Sequence, residues 1–141
     1  MSTRSDILWP VLAHMTLVFG LYAWLSVERT IAVRRGDVTY AAYEFAGHEP
    51  PHIARIARNL SNQFELPVLF YAALLLLEQY NATMAWDVWL AWLFVAGRVL
   101  HTAVQTQSSN VELRGRVFTL NALACMALVV HLAVVAWQGT T

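Results

Sequence analysis

Four long apolar runs leave this chain few ways to fold. Ile7 to Leu25 is almost wholly apolar, interrupted by His14 and Thr16. A second run centres on Leu66 to Leu77, a third covers about Val88 to Val104, and a fourth covers Val117 to Trp137. A bilayer core of about 30 Å takes roughly 20 helical residues to cross, and each run approaches or meets that length. A chain of 141 residues cannot hide four such runs from water. It is 58% hydrophobic and 13% charged, where an ordinary soluble domain is about 25% charged. A disordered tail, a coiled coil and a disulfide-stapled module are excluded. The single cysteine, Cys125, rules out an internal disulfide and a cysteine-based zinc site. A net charge of zero provides no basic field for nucleic acid. No small-residue cleavage site follows the first run, which continues into Ser26-Val27-Glu28-Arg29, so it is expected to stay as a span rather than leave as a leader. The expected fold is all-α: a single domain over 1–141, an integral membrane four-helix up-down bundle with spans near 7–26, 53–79, 86–106 and 115–137.

All nine cations are arginine, and their distribution predicts orientation. The loop from Glu28 to Arg58 carries Arg29, Arg34, Arg35, Arg55 and Arg58; the loop from Glu78 to Asp87 carries none; the stretch from Arg98 to Arg116 carries Arg98, Arg114 and Arg116. The positive-inside rule puts loops one and three in the cytoplasm, with Arg4 the one dissenting cation. Trp9, Tyr80, Trp86 and Trp137 would then sit at the outer interface, and Tyr22 and Trp24 at the inner one. Short termini and the lack of an organelle retention signal lead us to expect a bacterial inner membrane. Four helices of this length enclose little, so a sizeable site is expected between subunits of an oligomer.

Ionisable groups at membrane depth are costly and are functional candidates. In Arg58-Asn59-Leu60-Ser61-Asn62-Gln63-Phe64-Glu65-Leu66-Pro67, Arg58, Asn62 and Glu65 stand at i, i+4 and i+7, one face of a helix. Pro50-Pro51 can start that helix, and Pro67 cannot donate to the carbonyl of Gln63, so a kink is expected there. Arg98, His101 and Gln105 also share a face late in the third span, at the level where Arg114 and Arg116 open the fourth and near Arg34 and Arg35 after the first. Arginines clamp carboxylates bidentately and a carboxylate takes an ammonium, so this set suits a zwitterionic ligand with several carboxylates. The plainer alternative is a buried Arg–Glu pair that only fixes packing; for Arg29, Arg55 and Arg116, topology alone is explanation enough.

Arg58, Asn62 and Glu65, followed by Pro67 and an aliphatic run, resemble the helix-two motif of the MAPEG family, the membrane-associated proteins in eicosanoid and glutathione metabolism. The resemblance extends to Arg34-Arg35 and to Gly97-Arg98. It implies a four-helix homotrimer that binds glutathione as co-substrate between adjacent subunits at the cytoplasmic side, held here by Arg58, Asn62 and Glu65; Arg34 or Arg35 is expected to help with its carboxylates, and Arg98 and Gln105 to add to the binding site. It also implies glutathione-dependent transferase or peroxidase chemistry on lipophilic electrophiles or lipid hydroperoxides. Arg114 is the nearest candidate for the arginine that stabilises the thiolate, and His101 for a donor or acid–base group. His101 and Gln105 stand where the well-known enzymes carry tyrosines. The family also holds non-catalytic lipid binders, so the alternative is a MAPEG-like protein that binds a lipophilic ligand or serves as an accessory subunit of a membrane complex. The expected partners are membrane lipids, further copies of the chain and a lipophilic small molecule.

Other signals carry less. His48-Glu49-Pro50-Pro51-His52 matches a zinc-protease pattern, but that chemistry needs both histidines on one continuous helix, and two prolines prevent it; no metal site is expected. His14 and His131 are expected to be hydrogen-bonded interior groups, Asn121 an interhelical hydrogen-bonder and Cys125 an inert buried thiol. Trp86, Trp89 and Trp92 read as an interfacial stripe.

Overall fold

A computed structural model describes residues 6–44 and 48–139; Arg4 lies outside them. The described residues form α-helices and short 3₁₀ turns with no strand. Helix α1 spans Leu8–Arg35, α2 Pro51–Ser61, α3 Leu66–Gln79, α4 Ala85–Gln107 and α5 Val111–Gln138, with 3₁₀ turns at Tyr40–Tyr43 and Asn62–Phe64. Helices α2 and α3 are two halves of one bent span, so four helices have the length and hydropathy to cross a membrane. Large apolar side chains face outward along them, with Phe19 72% and Trp89 73% exposed. Such an apolar exterior is what a bilayer covers.

The loops are shorter than the arginine-rich stretches suggest. Helix α1 does not end near residue 26; no breaker occurs before Gly36, whose φ of 77° closes the helix in a left-handed turn. Its N–H bonds to Val33 O and that of Asp37 to Ala32 O, both at 3.0 Å, the double closure that a C-terminal glycine permits. Arg29, Arg34 and Arg35 are therefore helical. Pro51 opens α2 in the first-turn position that needs no amide proton, so Arg55 and Arg58 are helical too. Between α4 and α5 only residues 108–110 intervene, and Asn110 Oδ1 caps α5 by accepting from Leu113 N–H at 2.9 Å.

Two apolar clusters hold the bundle. Towards the α3–α4 turn, Ile7 and Val11 pack with Phe70, Leu74, Leu77, Phe94, Cys125 and Leu128, and Phe70 stacks on Phe94 at 4.2 Å between centroids. Towards the arginine-rich end, Leu21, Leu25 and Ala32 of α1 meet Ile53, Ile56 and Leu60 of α2. Along the chain a buried polar layer lies between the two clusters: His14, Asn59, Gln63, Arg98 and Thr102.

Candidate functional site

The bend in the second span builds the site. Helix α2 stops at Ser61, Asn62–Phe64 form a 3₁₀ turn, and Glu65 leaves helical geometry at φ −97°, ψ −98°. The helix restarts at Leu66, with Pro67 in its first turn. The disruption thus lies a turn before Pro67, as a break rather than a kink at the proline. Carbonyls at a helix end lack intrahelical partners, and α4 supplies one: Arg98 Nη2 donates to Asn62 O at 2.9 Å. Arg98 Nε donates to Gln63 Oε1 at 3.0 Å, and the whole side chain is buried.

Gln63 is the hub of the polar layer. Its Oε1 also receives His14 Nε2 at 3.1 Å, and its Nε2 donates to Asn59 O at 3.1 Å and Asn59 Oδ1 at 3.3 Å. Asn59 Nδ2 in turn donates to Thr102 Oγ1 at 3.0 Å. His14 Nδ1 pairs with the Tyr71 hydroxyl at 2.5 Å. All of the hydrogen-bonding capacity of the Gln63 amide is thereby used. Spacing alone does not single out Gln63, Asn59 or Tyr71 in the sequence. The available signal is the pair of amides Asn59 and Gln63 at i and i+4 where the second apolar run begins.

Arg58, Asn62 and Glu65 do line one cavity, of about 410 Å³, with Glu49, Ala54, Ala57 and Ser61. The Arg58 and Glu65 side chains are exposed, so they are no buried packing pair. Asn62 also borders a second cavity, of about 280 Å³, with His101, Gln105, Arg114 and Phe118. Its Nδ2 donates to Gln105 Oε1 at 3.4 Å. Asn62 is therefore the shared wall between the Arg58–Glu65 side and the His101–Arg114 side. Glu65 is within electrostatic reach of Arg98, and both Arg98 and Arg114 are within reach of His101. Arg34 stands apart, bordering a separate cavity along α1 with Ser26, Val27, Thr30 and Ile31. Within one chain it does not join the set.

Buried polar atoms without a partner collect beside these cavities: Arg98 Nη1, His101 Nδ1, and both Asn121 Oδ1 and Nδ2. Asn121 thus does not make the expected interhelical hydrogen bond. It is packed against Gly97, where a Cβ would come within 2.0 Å of its Oδ1, and a helical backbone has no free group to offer there. His14 and His131 are hydrogen-bonded as expected, His131 through Nδ1 to Asp87 Oδ1 at 2.9 Å. In the His48–His52 stretch, the Glu49 carboxylate accepts from Arg29 Nη2 at 2.9 Å, and Pro51 starts the helix after it.

A family model described as MAPEG family matches residues 10–134. The chain belongs to the MAPEG family. That family includes glutathione transferases and peroxidases as well as non-catalytic members, and its proteins generally use glutathione and form trimers. A search of curated proteins finds no match to the chain. For this MAPEG protein, family membership and four membrane-length helices make it a multi-pass membrane protein in contact with lipid.

Proposed function

We propose that this MAPEG protein binds glutathione at the arginine-rich end of the bundle and uses its thiolate on lipophilic electrophiles or lipid hydroperoxides. The observation that carries the reading is the position of Asn62 on both cavities, with carboxylate- and ammonium-binding groups on one side and cations beside His101 on the other. Arg58 offers a planar fork for a carboxylate. Glu65 offers a carboxylate for the ammonium, and the Asn62 amide can pair with a peptide group. Arg98 and Gln105 position Asn62 through its carbonyl and its amide. Arg114, on the same cavity as Asn62 and His101, would supply the nearby cation that a thiolate needs to form at neutral pH.

The sulfur then attacks an electrophilic carbon, forming a C–S bond as the bond to the leaving group or ring atom breaks; His101 would hydrogen-bond the displaced or ring-opened atom, which takes up a proton from water. With a hydroperoxide it attacks the terminal oxygen instead. The O–O bond breaks, the lipid alkoxide takes up the proton that the thiol gave up and leaves as an alcohol, and a second glutathione displaces water from the sulfenic acid to complete a disulfide. In this reading the protein is a homotrimer, and a neighbouring copy brings Arg34 to the Arg58 cavity from the exterior of α1. The arginine-rich end faces the cytoplasm of a bacterial inner membrane.

One observation favours a second reading, a MAPEG protein that binds a lipophile without chemistry: Gln105, in place of a tyrosine, is already engaged with Asn62. A glutathione titration of the thermal midpoint of the detergent-purified oligomer tests the proposal. Ligand at a hundred times its Kd should stabilise by about 2.7 kcal/mol, and Glu65→Gln and Arg58→Ala should each shrink the shift while leaving the oligomer intact. Arg114→Ala should keep the shift and lose turnover. No shift up to millimolar glutathione would overturn the proposal; a normal shift without turnover of any electrophile would favour the non-catalytic reading.

A further inference from the structure

Another cavity lies outside the set just described. About 490 Å³ opens between α1 and α3, lined by Met15, Val18, Phe19 and Tyr22 on one side and Gln63, Phe64, Val68 and Tyr71 on the other. Met15, Phe19, Phe64 and Val68 are exposed, so the cavity can be entered from the outer face of the bundle, and its volume is that of a small-molecule site. Its walls are apolar except for Gln63 and two tyrosines, and the Gln63 amide is fully used. We propose that this cavity binds a lipophilic molecule carrying a hydroxyl donor, a long-chain alcohol or phenol in chemical class, whose O–H is accepted by the Tyr71 oxygen.

The requirement for a donor follows from the chain of hydrogen bonds behind the cavity. A guanidinium only donates, so the Gln63 atom that Arg98 Nε meets is an acceptor, consistent with Gln63 Nε2 donating to Asn59. His14 Nε2 approaches that same oxygen and must therefore carry a hydrogen. A second cation buried beside Arg98, with no carboxylate bonded to it, would carry a heavy desolvation cost, so the ring is neutral and Nδ1 presents a lone pair. The Tyr71 O–H then donates to His14. What remains on the Tyr71 oxygen is acceptor capacity alone. An acyl tail would fill the cavity and leave that acceptor bare; an ester or ketone would oppose it with a second acceptor; a hydroxyl satisfies it.

This inference does not rest on the glutathione reading, and its test contains no glutathione. Protein in nanodiscs of a single phosphatidylcholine is photolabelled with a diazirine-bearing long-chain alcohol or with the methyl ether of the same alcohol, and the adducts are mapped by mass spectrometry. The alcohol should label the segments 15–22 and 64–71 about fivefold more than the ether, the usual worth of one net hydrogen bond. Unlabelled alcohol should compete this labelling away. Tyr71→Phe should bring alcohol labelling down to the ether level, while Val68→Trp, at an exposed wall position, should block both probes and leave the polar layer untouched. Equal labelling by alcohol and ether would show that an acyl tail alone fills the cavity and would overturn the proposal. So would absence of labelling in these segments, which would mean that a second copy of the chain covers them.

Discussion

Gln63 is the residue on which most side chains depend. Gln63→Leu would strand the buried His14 Nε2 and Arg98 Nε and take a donor away from Asn59 O and Oδ1. At roughly 1–3 kcal/mol for each stranded group, the variant should lose several kcal/mol in a detergent unfolding titration, far more than a volume-conserving change elsewhere in the layer. Gly97 makes a different kind of prediction. A methyl group at that position collides with Asn121, so Gly97→Ala should cost about 1–3 kcal/mol. Asn121→Ala should cost little, since its amide has no partner to lose, and the double variant should recover most of the loss as a positive coupling in the cycle. At this scale the sequence was only partly legible. Arg58, Asn62 and Glu65 could be grouped by spacing because helical periodicity survives the short 3₁₀ turn between them. Gln63 was hidden because its importance comes from α1 and α4, elements far away in sequence. Asn121 departs from the expected interhelical bond because polarity alone does not tell which partner the opposite helix can offer.

Elements were easier to read than residues. Span number and type follow from apolar length, which does not depend on tertiary context. The ends are less legible where charged residues suggest a loop: Glu28 to Arg35 continues α1 because those residue types tolerate a helix and nothing breaks it before Gly36. At the other end of the bundle Asp87 fastens α4 twice, its Oδ2 accepting from Met84 N–H at 2.8 Å and its Oδ1 pairing with His131 of α5. Asp87→Ala should therefore cost more than the ~1 kcal/mol typical of a lost cap, because His131 also loses its partner. Asp87→Asn, which keeps one acceptor oxygen for the Met84 N–H and can turn its amide N–H towards the His131 ring nitrogen, should cost less. Thermal midpoints of the two variants in the same detergent would separate the contributions. Pro67 is the residue that forbids a continuous second span. Pro67→Ala should let α2 and α3 straighten towards each other, seen as a longer distance between spin labels placed near their far ends, and should weaken glutathione binding by pulling Asn62 from Gln105.

At the scale of the whole molecule, one chain presents Arg34 on a different surface from Arg58, so a site that uses both needs two copies. If so, Arg34→Ala and Arg58→Ala should each bind glutathione weakly as pure oligomers. Mixed oligomers should regain part of the binding, because some interfaces then pair one intact Arg34 with one intact Arg58. Native mass spectrometry would report the stoichiometry of those mixtures, and a thermal shift that stays absent in them would confine the site to one chain. The contact between Arg98 and the Asn62 carbonyl has a mechanical meaning in such an assembly. The broken span is stapled by a side chain that belongs to another helix, so the angle between α2 and α3 is not theirs to set. It is held from α4, so any strain on that helix reaches, through Arg98, the turn that carries Asn62 between Arg58 and Glu65.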